Sequence, residues 1–154
     1  MNSYYDTGVL LKLYTAEPES GCVQDFVRLR KDRIWVTDLH VAECVSALRL
    51  KVFRKECSED ESSAAIELIK ADLRNGVLQV IEMDWGHAWQ ECRLLSDQFA
   101  SRTGAQTLDS LHVAAARLLG VKEFLTSDGR QAKLAHSIGL KVLNPTTSPR
   151  SREE

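Results

Sequence analysis

The sequence predicts an α/β fold of three layers, α/β/α, with helices covering both faces of a central, mostly parallel sheet of about four to five strands. Three observations carry this expectation. Short β-prone runs alternate with longer helical segments along the whole chain. The connections between them are short. No internal repeat is visible, so a single wound sheet accounts for the pattern.

Residues 3–6 read as a first short strand, ended by Asp6. "TGVLLKLY" (7–14) follows with helical spacing, placing Val9, Leu10, Leu13 and Tyr14 on one side, until "EPES" and Pro18 interrupt it. From Glu19 the spacing of Val23, Phe26, Val27 and Arg30 predicts a second helix. "RIWVT" (33–37) is a compact strand-like run. Thr37 or Asp38 then caps a long helix over 39–55, with Leu39, Val41, Ala42, Val45, Leu48 and Val52 inward. "SEDESSAAIELIKADLRNG" forms the next helix. Its acidic first turn suits the positive end of the helix dipole, and Asn75-Gly76 stops it. "VLQVIEM" (77–83) is a strand, and Asp84 caps a helix reaching about residue 101. Thr107 or Asp109 opens another helix, which Gly120 ends. "EFLTSD" (123–128), "GRQAKLAHSIG" and "LKVLNP" read as strand, short helix and strand. Residues 1–145 thus form one domain without a linker, and 146–154 a polar, disordered tail.

A chain of 154 residues suits one domain and can bury a core without covalent staples. With 44% apolar and 27% charged residues the composition is that of a globular protein. A net charge of −2 excludes a global basic field, so a polyanionic partner requires a local basic patch. Cys22, Cys44, Cys57 and Cys92 form no C-x-x-C pair and read as packed or free thiols in a reducing compartment. No basic-then-apolar leader opens the chain, and no apolar run approaches the ~20 residues of a membrane span. The expected location is the cytoplasm.

In open parallel α/β sheets, ligands bind beyond the carboxyl ends of the strands. Asp6 ends the first strand, Asp128 ends "EFLTSD", Asp109 opens a helix, and Glu43 lies one turn into the helix after "RIWVT". These four acids are expected at one edge of the sheet. Asp6, Asp109 and Asp128 also suit helix caps or turns. Glu43 shares its helix face with Ala47 and Leu50 and is less easily explained as a solvated residue. Crowded carboxylates repel and are driven to hold protons, a problem that a divalent cation removes. Hard oxygen donors suit Mg²⁺ or Mn²⁺. Such a site activates water and screens charge on a phosphodiester transition state, so the residues point to metal-dependent phosphoryl chemistry.

"YYDTGVLLKLY", "TDLHVAECVSALRL", "TLDSLHVAAARLLG" and "FLTSDGRQAKLAHSIGLKVLNP" resemble, in order and spacing, the motifs of PIN-domain proteins, in particular VapC-type toxin ribonucleases of bacterial toxin–antitoxin pairs. The likeness spans residues 3–145. It implies that Asp6, Glu43, Asp109 and Asp128 are the catalytic residues and bind one or two Mg²⁺ or Mn²⁺ ions. It further implies that Thr7 and Thr126 support them with hydroxyls. The implied activity is endonucleolytic cutting of RNA to leave a 5′-phosphate and a 3′-hydroxyl, with inhibition of translation as its result. The implied partners are a small antitoxin in the groove beside the acids and a second copy of the chain in a homodimer. The family commonly has serine after "DT", where this chain has Gly8.

"RLRKDR" (28–33), "RLKVFRK" (49–55), Arg102, Arg117 and Arg130 are candidates for RNA backbone contact, or else solvated surface. His40-x-x-Glu43 and Asp109-x-x-His112 each put an imidazole and a carboxylate on one helix face, but the strand-like runs contradict a di-iron bundle. His112 reads as a packed or hydrogen-bonded helix residue, and Trp85 and Trp89 as core or dimer surface. Two other functional classes compete. A non-catalytic PIN-like module that binds RNA or protein would not need all four acids. A phospho-acceptor receiver domain would need paired acids after the first strand and a lysine after the last-but-one, and "YYDTG" and "TSD" supply neither.

Overall fold

A computed structural model describes residues 1–31 and 33–147, so residues 148–154 of the expected tail lie outside the described residues. Among the described residues five strands alternate with seven helices: β1 (Ser3–Tyr5), α1 (Thr7–Leu11), α2 (Ser20–Arg30), β2 (Ile34–Val36), α3 (Asp38–Phe53), α4 (Glu59–Arg74), β3 (Leu78–Val80), α5 (Trp85–Thr103), α6 (Thr107–Leu118), β4 (Glu123–Leu125), α7 (Gly129–Ser137) and β5 (Lys141–Leu143). Every strand pairing is parallel. The strands form two hydrogen-bonded groups, β1-β4-β5 and β2-β3, with β1 lying beside β2. β1 is therefore central, between β4 and β2.

Side chains alternate across a strand, and here the alternation separates two cores. Tyr4, Phe124 and Val142 face α5, α6 and α7, packing with Leu95, Leu111 and Leu134. The Tyr4 and Phe124 rings stack with centroids 5.4 Å apart. Tyr5, Leu125 and Leu143 face the opposite side, with Val9, Val23, Leu48, Ile66 and Ile69 from α1 to α4. Two cores on opposite faces make three layers, the architecture expected. All four cysteines are free thiols.

One face differs from expectation. The buried residues of α3 are His40, Cys44 and Leu48; Leu39, Val41, Val45 and Val52 are only half-buried and Ala42 is exposed. The reason is polar. The backbone N–H of Thr37 donates to Nδ1 of His40 (3.0 Å), which leaves Nε2 to carry the proton and donate to the Tyr5 carbonyl (2.9 Å). Asn2 and Asp6 make their backbone hydrogen bonds to the β4 side, so the Tyr5 carbonyl points toward β2. No ladder pairs β1 with β2. His40 stands in for the missing strand partner, and this rotates α3 so that the next turn carries Glu43 toward the end of β1.

Burial, reinforced by the nearby His112, pulls the His40 imidazole down to about 3, against the opposing effects of the Tyr5 carbonyl and Glu43. In the unfolded chain it titrates near 6.5. Between these values the unfolded state binds the extra proton, so this part of the stability is present above about pH 6.5 and is lost as pH falls toward 3. Urea unfolding from pH 7 down to 4 should show a steep loss of stability in the wild type and a shallower one in His40→Gln. Parallel pH profiles would disprove this role.

Candidate active site

The C-terminal edge of the sheet holds the starts of α1, α3 and α7, and α6 begins beside them. A cleft of about 400 Å³ opens there, lined by Asp6, Thr7, Gly8, Glu43, Leu108, Asp109, His112, Ser127, Asp128 and Gln131. The four acids expected at one edge thus line one cavity.

Three of them double as helix caps. Asp6 caps α1, its Oδ1 accepting from Val9 N–H at 2.6 Å. Asp128 caps α7, its Oδ1 accepting from the N–H groups of Arg130 (2.8 Å) and Gln131 (3.1 Å), while Oδ2 pairs with the Arg130 guanidinium at 3.2 Å. Asp109 lies in the first turn of α6 and accepts from Gln106 N–H through Oδ2 at 2.8 Å. The residues that hold these helix starts also line the cleft.

Thr126 links two of these acids. Its hydroxyl donates to Asp6 Oδ2 (2.5 Å) and accepts from the Asp128 N–H (3.0 Å). Glu43 sits inside α3 and is held by side chains instead: Thr7 donates to Oε2 at 2.6 Å, and His112 Nε2 lies 2.5 Å from the same oxygen. A carboxylate only accepts, so Nε2 carries a proton toward Glu43, and Nδ1 hydrogen-bonds the Tyr4 hydroxyl at 2.8 Å. A polar chain thus runs from Tyr4 in the core through His112 to the cleft. The spacing in "DSLH" put His112 on the Asp109 side of α6, but its partner Glu43 is 69 residues away in sequence and leaves no local signal.

The acids differ in charge cost. Burial pushes the Asp6 carboxyl up, outweighing the Thr126 and Val9 bonds that favour its ionised form. Burial also acts against Glu43 and Asp128. For Glu43 the His112 and Thr7 bonds prevail, for Asp128 the Arg130 pair and two backbone N–H groups, and both titrate below the usual carboxylate range.

Among the described residues no three acidic, imidazole or thiol groups converge closely enough to hold an ion as they stand. The donor chemistry nevertheless suits a hard cation: four carboxylates around a cavity with room for an ion and its waters. Asp6 bears a burial cost that a cation would relieve, and the buried Oε1 of Gln131 has no partner. Gly8 leaves space at the same point. A Cβ there would lie 3.6 and 3.8 Å from the two Asp6 oxygens, ordinary contact distances, so the serine common in the family would fit.

Among the described residues half of the basic side chains in the two stretches, and Arg117 besides, are paired with acids. Arg28 pairs with Asp25, Arg30 with Glu123, Arg49 with Glu59, Lys51 with Glu17 and Glu56, and Arg117 with Glu91. Trp85 packs against the α5–α7 core, and Trp89 is exposed.

The PIN domain family model matches residues 3–137. The chain belongs to the PIN-domain family. Ribonuclease VapC46 of Mycobacterium tuberculosis (strain ATCC 25618 / H37Rv) is 28% identical over 145 residues, covering 93% of this chain and 97% of that protein. The crystal structure of Mycobacterium tuberculosis VapC20, a Sarcin-Ricin loop cleaving toxin, superposes with a TM-score of 0.63 at 18% identity, over 86% of this chain and 94% of that one. The second likeness establishes the shared fold.

A raised Asp6 pKa means that ionising this carboxyl costs the folded PIN domain stability at neutral pH. Asp6→Asn keeps an acceptor for Val9 and carries no charge. In metal-free buffer at pH 7 it should melt above the wild type, and the gap should close as acid protonates Asp6. A variant that melts lower at pH 7 would contradict the charge cost assigned to Asp6.

Proposed function

We propose that this PIN domain is an endoribonuclease dependent on Mg²⁺ or Mn²⁺, the toxin of a toxin–antitoxin pair that inhibits translation by cutting RNA. The observation that carries the reading is the lining of one cleft by Asp6, Glu43, Asp109 and Asp128, drawn from four separate segments. The likeness to Ribonuclease VapC46 over nearly the whole chain supports RNA as the substrate.

Asp6 and Asp109 would hold the ion, with Glu43 and Asp128 beside them; the ion supplies a lowered pKa for water and offsets charge on the phosphodiester. The chain's own residues do the positioning. Thr126 fixes the Asp6 carboxylate against the start of α7. Thr7 and His112 keep Glu43 ionised and aimed, ready to accept a hydrogen bond from the attacking water. The water gives up one proton to solvent as its oxygen bonds to phosphorus, the P–O3′ bond breaks, and O3′ takes up a proton from solvent, which leaves a 5′-phosphate and a 3′-hydroxyl. An antitoxin that inserts a basic side chain into the cleft would neutralise the same carboxylates and exclude substrate. The homodimer implied by the resemblance is part of this reading. Among the described residues no helix is long and apolar enough to cross a membrane.

Purified chain should cut a mixed cellular RNA pool with Mg²⁺ or Mn²⁺ and not with EDTA. Asp6→Asn and Asp109→Asn should each lower the rate by at least about 100-fold, as removal of a charge-stabilising group does elsewhere. Folded, partner-free protein that cuts nothing under any of these conditions would favour a non-catalytic binding module instead.

A further inference from the structure

A cleft of four acids repels a polyanion, so RNA needs cations nearby to bring it in. The sequence offered many, and the structure narrows the choice. Arg28, Arg30, Arg49, Lys51 and Arg117 are each paired with an acid. Among the described residues Arg102 and Lys133 are not; Arg33, Arg54 and Lys55 have no acid pair either, but Arg33 lines a cavity with Met1, Asn2 and Ser3 at the opposite edge of the sheet, and Arg54 and Lys55 follow the far end of α3. Arg102 and Lys133 line one open cavity of about 500 Å³ with Phe99, Thr103, His136 and Ser137, and no acid contributes to its wall. Arg102 reaches only its own helix, donating to the Gln98 carbonyl at 3.1 Å, and lies 5.3 Å above the Phe99 ring. These contacts fix the guanidinium without neutralising it.

This cavity shares no wall residue with the acidic cleft, but two stretches, α7 and the end of α5 through the start of α6, contribute to both. On α7, Asp128 and Gln131 line the cleft while Lys133 and His136 line the basic cavity. At a rise of 1.5 Å per residue, Lys133 lies about 8 Å along the axis from Asp128. On the other side, a cavity lined by Ser96, Ala100 and residues 105–109 shares Leu108 and Asp109 with the cleft, and Thr103 of the basic cavity accepts from the Ala105 N–H at its border (3.3 Å). Between the two stretches the Arg130 stem packs on Gly104, where a Cβ would meet its Cδ at 3.6 Å, and its guanidinium pairs with Asp128.

We propose that the C-terminal end of α5 and the outer face of α7, through Arg102 and Lys133, form the phosphate track that leads an RNA strand into the acidic cleft. This rests on the ribonuclease reading. Cations spaced along a surface hold phosphates in register without reading sequence, which suits a strand being fed to a cutting site.

The test uses the full chain carrying Asp109→Asn, in EDTA, with a fluorescein-labelled mixed-sequence single-stranded RNA followed by anisotropy across a salt series. For single strands the slope of log K against log salt is about 0.7 per phosphate neutralised. Adding Arg102→Gln and Lys133→Gln together should weaken binding and reduce the slope by about 1.4, twice that value. Adding Arg49→Gln and Arg117→Gln, two acid-paired arginines, should change neither. Equal slopes and affinities for the two double variants would overturn the track, as would a parent protein that does not bind the RNA; the latter would leave an acidic protein segment as the partner of this patch. Cleavage by the chain without Asp109→Asn is scored separately. Cutting with equal slopes sinks the track alone; unequal slopes without cutting sink the ribonuclease reading and leave Arg102 and Lys133 as RNA contacts of a non-cutting protein.

Discussion

Four carboxylates confined to one cleft repel one another, and the C-terminal edge of the sheet is organised around holding them. Three are held by backbone N–H groups at helix starts: Asp6 on α1, Asp109 on α6 and Asp128 on α7. Each such cap contributes about 1 kcal/mol to its helix, so the interaction that positions the acid also stabilises the element carrying it. Removing any of these acids therefore tests stability and chemistry together, with Asp6 the exception because its burial opposes its own charge. Carboxylate oxygens have several lone pairs, and one backbone bond does not exhaust them.

Glu43 is the acid without a helix terminus, and the rest of the structure compensates. Its orientation depends on two histidines that do different work. His40 ties α3 to the Tyr5 carbonyl across the seam where β1 and β2 share no ladder, which sets the rotation of the helix. His112 reaches from α6 to the Glu43 carboxylate and is itself anchored by the Tyr4 hydroxyl. The two imidazoles meet edge to face with centroids 5.0 Å apart, and both contact the Tyr4 ring. The cleft is thus supported from the core of one sheet face, while the Asp6 side is supported through Thr126 from the end of β4.

Much of this was legible in the sequence. Element order, the parallel topology and the four acids follow from local patterns: alternating runs, turn residues, and acids where strands end. What was not legible depends on contacts between distant residues. The inward face of α3 was misread because apolar periodicity favours Val41 and Ala42, whereas two backbone hydrogen bonds draw the polar His40 inside. His112 gave only a helix spacing, and its function depends on Glu43 and Tyr4 from other layers. The basic residues could not be ranked from sequence, because what distinguishes Arg102 from Arg117 is a carboxylate from another turn of α5, Glu91, paired with the latter. Cap and site looked like competing explanations for Asp6, Asp109 and Asp128, and in the fold the residues that hold helix starts also line the cleft.

The central claim is that these carboxylates together form a divalent-cation site. Titrating the protein with Mn²⁺ at pH 7, and following loss of the free-ion electron paramagnetic resonance signal, tests it without reference to any substrate. The account predicts saturable binding of one or two ions by the wild type and a marked loss of affinity in both Asp6→Asn and Asp109→Asn. Equal binding by all three proteins would place the ion elsewhere and contradict the account.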